Sequence, residues 1–251
     1  MVAPSYDCSE ELIKGFVDRI AKVRGQIGDA CSAAGRDPSE VTLIGVSKVF
    51  PVEYAEAAVL AGLSDLGENR VQELTPKIER LAELGLDVNW HLIGTLQKNK
   101  VKYITGKTHL IHSVNTVELA EEISKRSVNA GLITDILIQT NVSGEESKHG
   151  FAPDELKPAI SCLSSMEGIR LRGLMTMAPI QTYEGEARAV FSKTYELYDS
   201  LRGEVADRGV WNVLSMGMSQ DYKDAILEGS TCVRIGTAIF GDRSKVALQV
   251  Q

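Results

Sequence analysis

The run Val41-Thr42-Leu43-Ile44-Gly45-Val46, followed by Ser47-Lys48, decides the fold. Its first six residues are β-branched or apolar with no polar alternation, which predicts a strand covered on both faces, as in a parallel sheet. Upstream, residues 9–34 place Leu12, Ile13, Phe16, Ile20, Val23 and Ile27 at helical spacing, and Gly35 with Pro38 stops that helix. Downstream the pattern repeats. Strands are predicted at 41–47, 64–67, 88–93, 109–113, 134–141, 170–175, 211–215 and 231–235. Helices are predicted between them at 52–61, 70–84, 116–130, 153–164, 184–205 and 220–228, with a shorter one at 97–103. Asn115 with Glu118 reads as a capping box, Pro153 as a first helical turn and Gly229 as a helix end. Eight strands alternating with helices over about 250 residues predict an α/β fold, a (β/α)8 barrel with the opening helix as an addition. A doubly wound open sheet is the alternative. No Pro/Gly/Ser-rich linker interrupts the chain, so residues 1–251 are expected to form one domain with its core at about 9–243.

Composition narrows the function classes. Hydrophobic residues make up 43% and charged residues 24%, ordinary values for a globular chain. With 27 basic against 34 acidic residues the net charge is −7, which offers nucleic acid no basic footprint. No apolar run approaches the roughly 18 residues a membrane helix needs. Asp7, Glu10 and Glu11 near the start, with no basic segment before them, argue against a signal peptide. Cys8, Cys31, Cys162 and Cys232 lie far apart without a CxxC pair, the pattern of free thiols in a reducing cytoplasm.

In a barrel the chemistry gathers at the C-terminal ends of the strands. The first strand ends at Lys48. Such a lysine is ordinarily a solvated charge, but behind an apolar strand a desolvated amine becomes a nucleophile for Schiff-base chemistry. The second ends Gly67-Glu68-Asn69, where Asn69 reads equally as a helix cap. The third ends Trp90-His91-Leu92-Ile93-Gly94, and His91 alone reads as a hydrogen-bonded core histidine. His109 and His112, three apart on one strand, are expected on opposite faces, so no metal site is expected. His149 reads as part of a polar loop. The seventh and eighth units are richer: Ser215-Met216-Gly217-Met218-Ser219 runs into a helix starting near Gln220, and the eighth strand ends Arg234-Ile235-Gly236-Thr237. Loops after strands seven and eight commonly hold a phosphate in barrels. Gly217 and Gly236 would admit a close ligand, and Ser219 and Thr237 add hydroxyls. Ser219 as a plain N-cap is the competing reading. Neither GxGxxG nor GxxxxGK[ST] occurs.

A strand-one lysine with a phosphate cup after strands seven and eight describes a pyridoxal phosphate (PLP) pocket. These blocks, read in order with Asn141-Val142-Ser143, Arg172-Gly173-Leu174-Met175 and Ala238-Ile239-Phe240-Gly241, resemble the pyridoxal phosphate homeostasis protein family. Its members are single-domain relatives of the alanine racemase barrel. The resemblance implies that Lys48 carries PLP as a Schiff base, that Ser219, Gly236 and Thr237 hold its phosphate, and that Arg234 meets its pyridine nitrogen. It places Asn69 and Ser215 around the ring and phosphate, with His91 and Met175 as wall residues.

The resemblance further implies a cytoplasmic, monomeric PLP-binding protein of vitamin B6 homeostasis. Such a protein is expected to buffer or deliver the cofactor, with PLP-dependent apo-enzymes as transient partners, and so to affect amino- and keto-acid metabolism. Efficient turnover is not expected. A guanidinium disfavours protonation of the pyridine nitrogen, and the chain ends about ten residues after Gly241, without the following domain and second acid/base of the similar racemases. A weak amino-acid racemase, or a Schiff-base aldolase gripping a sugar phosphate in the same cup, are the alternatives.

Overall fold

The computed structural model describes residue 6 and residues 8–145, 149–179, 185–205 and 209–242. Eight parallel strands close into one barrel in chain order. They are β1 (Thr42–Val46), β2 (Asp65–Glu68), β3 (Asn89–Leu92), β4 (Leu110–Val114), β5 (Thr134–Gln139), β6 (Ile169–Met175), β7 (Val213–Met218) and β8 (Cys232–Ile235). Around them run α1 (Glu10–Ala33), α2 (Val52–Leu60), α3 (Val71–Glu83), α4 (Val101–Ile104), α5 (Val117–Asn129), α6 (Leu156–Leu163), α7 (Glu186–Leu201), α8 (Tyr222–Leu227) and α9 (Thr237–Phe240). The closed barrel removes the open-sheet alternative. Among the described residues no helix is long and apolar enough to cross a membrane.

The amphipathic stripe read from the sequence is the face that α1 buries. Phe16, Ile20, Val23 and Ile27 lie in the core, Leu12 and Ile13 pack at its margin, and Ser9 Oγ caps the helix by accepting from Leu12 N at 3.2 Å. Strand orientation follows from the glycines. A Cβ on Gly45 would meet Leu63 and Phe240, so Gly45 faces the helices while Ile44 and Val46 face the barrel axis. One on Gly67 would meet Ile44 and Ile93, so Gly67 and Asp65 face inward and Glu68 outward. Leu110, Leu137 and Met175, with Val213 against them, fill one side of the interior.

Several boundaries differ from the sequence reading, each for a local reason. Thr116, not Asn115, caps α5, its Oγ1 accepting from Leu119 N at 3.2 Å. β5 stops at Gln139, and residues 97–103 divide into a tight turn at Lys98–Lys100 and the single turn of α4. Residue 184, the expected start of a helix, lies outside the described residues, as do positions 1–5 and 243–251 of the expected domain. β7 begins late because Trp211 is committed to α7: its indole donates to Tyr198 O and its own carbonyl accepts from Tyr198 Oη, both at 3.0 Å. It also ends late, at Met218, and Gly217 is a strand residue rather than a ligand-facing turn. With φ +97° it sits where the β7–β8 register shifts, and its missing Cβ makes room for Tyr222 and Ala225 of α8.

Gly173 tests this register. It pairs with Val213 at φ +147°, and a Cβ there would stand 1.8 Å from Val213 O. Gly173→Ala is expected to destabilise the fold by more than about 3 kcal/mol through backbone clash. Gly25→Ala, in open space on α1, should stabilise it by roughly 0.5–1 kcal/mol. Urea denaturation followed by circular dichroism measures both, and an unchanged midpoint for Gly173→Ala would contradict the β6–β7 pairing.

Candidate functional site

The C-terminal ends of the strands surround a cavity of about 390 Å³, within the range of small-ligand sites. Lys48, Asn69, Ser219, Arg234, Gly236 and Thr237 all line it, brought from the ends of β1, β2, β7 and β8. Ser215, His91 and Met175 do not line it; they are buried in the barrel interior beneath its floor. Gln139, His149, Met177, Pro179 and Asp221 complete much of the wall. Of these, Gln139 left a sequence signal, a polar residue closing an apolar strand. His149 enters because the loop returns: its carbonyl accepts from Gln139 Nε2 at 2.9 Å.

Lys48 is half-buried on a turn fixed from several directions. Ser47 N donates to Gly67 O and Phe50 N to Ser47 O, both at 3.1 Å. Beneath the turn, Ser47 Oγ donates to Glu68 Oε1 at 2.6 Å, and Lys77 Nζ from α3 donates to the same oxygen at 2.5 Å and to Ser47 O at 2.8 Å. This trio is buried, and burial raises the Glu68 carboxyl above the usual range in spite of Lys77. Val49, next in the chain, sits at φ +63°, a region β-branched residues rarely enter, and its amide donates to Glu73 Oε2 at 2.7 Å. Lys77 and Glu73 look like ordinary helix charges in the sequence, so nothing there announced the clamp.

The opposite wall gathers donors. Ser219 Oγ accepts from Gly236 N at 3.2 Å and Ala238 N at 3.5 Å, which joins the loop after β7 to the start of α9. Ser219 is therefore not a helix cap. That position belongs to Asp221, which closes its own turn: Met218 N donates to its Oδ1 at 2.6 Å and its amide to Met218 O at 3.1 Å. Burial raises the Asp221 carboxyl. A Cβ on Gly236 would meet only Val46, at 3.7 Å, so the barrel itself does not demand glycine there. Gly94 does: it lets the Asn69 backbone approach to within 2.4 Å of where its Cβ would lie.

Arg234 forms part of the floor and is only 4% exposed. Its Nη2 donates to Thr176 O at 2.9 Å and its Nη1 to Ser215 Oγ at 2.5 Å. Ser215 continues to His112, and His112 to His91, each at 2.9 Å. The sequence reading set His109 and His112 on opposite faces, yet both rings approach His91, at centroid distances of 5.3 and 5.1 Å. β4 starts only at Leu110, so strand alternation does not govern His109.

Comparison with known proteins agrees with this architecture. The model of the alanine racemase N-terminal domain family matches residues 38–244. The pyridoxal phosphate homeostasis protein of Aquifex aeolicus is 43% identical over 230 residues, 90% of this chain and 97% of that protein. That of Pseudomonas aeruginosa is 41% identical over 228 residues, 91% and 96% of the two chains. The solved structure of PipY from Synechococcus elongatus with PLP bound is 32% identical and superposes with a TM-score of 0.78, covering 90% of this chain and 100% of that one. The chain thus belongs to the pyridoxal phosphate homeostasis protein family, on the barrel of the alanine racemase N-terminal domain.

Proposed function

We propose that this protein binds pyridoxal 5′-phosphate at the cavity and serves vitamin B6 homeostasis in the cytoplasm as a monomer, holding the cofactor and buffering or delivering it. One observation carries the reading. A clamped strand-end lysine, a hydroxyl-and-amide cup and a buried guanidinium face one cavity from the neighbouring strands β7, β8 and β1. The relatives' names and the PLP in the PipY structure support it.

The residues fit the group. Ser219 and Thr237 offer hydroxyl donors of the kind a phosphate dianion takes, and the Gly236 and Ala238 amides, which here donate to Ser219 Oγ, stand beside them. Asn69, on the wall beside Lys48, is a neutral partner for the ring substituents. Arg234 suits an unprotonated pyridine nitrogen, because a guanidinium donates and never accepts. PLP held there would supply an aldehyde for Schiff-base chemistry, and Lys48, on the cavity wall, would be the amine that holds it. The Ser47–Glu68–Lys77 clamp then sets where that amine stands.

The same geometry favours holding over turnover. Arg234 is positively charged and opposes protonation of the pyridine nitrogen, which weakens the ring as an electron sink. A racemase needs a second acid/base. Among the described residues lining the cavity, His149 and Asp221 are the remaining titratable side chains, and Asp221 is engaged with its own turn. Exchange of the α-proton of D- and L-amino acids, followed by NMR, is expected to stay at the rate of free PLP. Exchange far above it would favour the racemase reading.

Lys48→Ala is expected to abolish trapping by borohydride, and with it the mass increment on the peptide containing residue 48. Weaker, noncovalent PLP binding should persist through the cup. Retention of the trapped adduct in the variant would move the attachment point to another lysine.

Ser219→Ala removes one charge-assisted contact. It should weaken PLP by roughly 1.5–3 kcal/mol, tenfold or more, while leaving pyridoxal affinity unchanged. Titration of both ligands against both proteins forms a double-mutant cycle in which the phosphate is one of the mutated partners. Equal loss for the two ligands would remove the cup assignment.

A further inference from the structure

Five side chains run through the barrel interior from the cavity floor to the amino-terminal face. Arg234 Nη1 meets Ser215 Oγ at 2.5 Å, Ser215 Oγ meets His112 Nδ1 at 2.9 Å, and His112 Nε2 meets His91 Nδ1 at 2.9 Å. His91 Nε2 ends the series on Asp65 Oδ1 at 3.1 Å. Asp65 opens β2 with its side chain 14% exposed, whereas His91, His112 and Ser215 are buried.

The proton positions follow from the two ends. A guanidinium only donates, so Ser215 accepts from Arg234 and its single hydroxyl proton goes to His112 Nδ1. His112 then carries its proton on Nε2 and donates to His91 Nδ1. His91 likewise carries its proton on Nε2 and donates to the Asp65 carboxylate. Every donor points away from the cavity, and this one arrangement gives each atom of the series a partner. Two neutral imidazoles stand between a cation and an anion.

The electrostatics agree. Burial holds His112 well below the usual histidine range, and the neighbouring His91 and Arg234 push it the same way. Burial also lowers His91, although Asp65 opposes it. Asp65 is raised by burial, but the bonds from His91, Ser64 and Asn89 outweigh that and leave it low, as an anion. The other groups facing the series are exposed His109 beside His91, Asp221 on the Arg234 side, and Cys232, whose thiol burial pushes up to about 12.

We propose that Asp65, His91, His112 and Ser215 are positioning residues for Arg234, fixing the Ser215 hydroxyl as an acceptor and so holding the guanidinium toward the pyridine nitrogen of the cofactor. The proposal rests on the PLP reading above. It has a consequence for pH. A proton added to His91 puts N–H groups on both its nitrogens, and its Nδ1–H then faces the Nε2–H of His112. The series must reverse: His112 accepts at Nε2 and donates from Nδ1, and Ser215 receives two donors while its own proton turns elsewhere. Acidification sensed at the amino-terminal face thereby reaches Arg234.

The test begins with the unliganded protein. ¹⁵N NMR is expected to show His91 and His112 neutral and protonated on Nε2 at pH 7–8. Asp65→Asn, which keeps an acceptor oxygen, should preserve both tautomers and the Arg234 guanidinium resonances; Asp65→Ala should shift them. After loading with PLP, the pH midpoint of the cofactor absorption band should match wild type in Asp65→Asn and shift in Asp65→Ala. Asp65 touches neither cavity nor cofactor, so loss of packing alone would not move that band in a variant whose circular dichroism is unchanged. A His112 protonated on Nδ1 in the wild type overturns the proposal, and so does an Asp65→Ala protein with unaltered Arg234 resonances or an unaltered band. If none of the proteins takes up PLP, the proposed function fails separately, and the unliganded Arg234 resonances decide whether the series holds the guanidinium.

Discussion

The pairing of β1 with β8 is the contact on which the rest depends. It joins strands from opposite ends of the chain, Thr42 against Cys232 through Gly45 against Ile235. Parallel strands brought together from such a distance form only after a large loss of chain freedom, which local contacts cannot offset. The seam is covered by α1, which lies outside the eightfold repeat. Phe16 of α1 packs edge-on against both Tyr54 and Phe240, Phe50 adds a second contact to Phe240 at 5.3 Å, and Arg19 Nε donates to Ile239 O at 2.5 Å. The opening helix therefore fastens the short α9 to the turn after Lys48. Closing the barrel and assembling the cavity are one event, because the lysine and the donor cup lie on the two sides of the seam.

The interior is divided in kind. Barrel cores are ordinarily filled by branched apolar side chains, and here Leu110, Leu137 and Met175 fill one side only. The other side, beside Ile44 and Val46 of β1, holds a guanidinium, a hydroxyl, two imidazoles and a carboxylate. Burying such groups costs several kcal/mol per ion unless every one is bonded. The series from Arg234 to Asp65 meets that condition. A hydrocarbon core of the same volume would stabilise the barrel more, but it would leave nothing for the Arg234 guanidinium to bond except Thr176 O.

What the sequence disclosed and what it hid divide along the same physical line. Strand and helix periodicity is local, so the eight strands, the buried stripe of α1 and the positions of Lys48, Ser219, Arg234, Gly236 and Thr237 at strand ends were all legible. Relations across the barrel were not. His91 read as a core histidine, which it is, but its partners come from β2 and β4, and Ser215, which the resemblance places around the ring and phosphate, lies buried beneath the cavity against Arg234. Gly217 read as a ligand-facing glycine because sequence shows only that a side chain is missing. The register shift between β7 and β8 shows that Tyr222 and Ala225 occupy the space. Asn115 read as the cap of α5, but the backbone entering that helix gives the position to Thr116.

The costs that the fold tolerates are not spread evenly. Val49 occupies a left-handed conformation that disfavours a β-branched residue by about 1–3 kcal/mol. Two residues before it, Ser47 bonds a buried Glu68 whose second oxygen, Oε2, has no hydrogen-bond partner among the described residues. Both features adjoin Lys48. A barrel optimised for stability alone would have glycine at position 49 and an apolar pair in place of Glu68 and Lys77. The turn instead keeps the strain and a buried charge pair, and each restricts where the lysine amine can stand. A freely rotating lysine at a strand end would be a solvated charge. Here the backbone carrying it is locked from below by Glu68 and Lys77 and from the side by Glu73. That restriction keeps the turn carrying Lys48 on the cavity wall, across the seam from Ser219, Gly236 and Thr237.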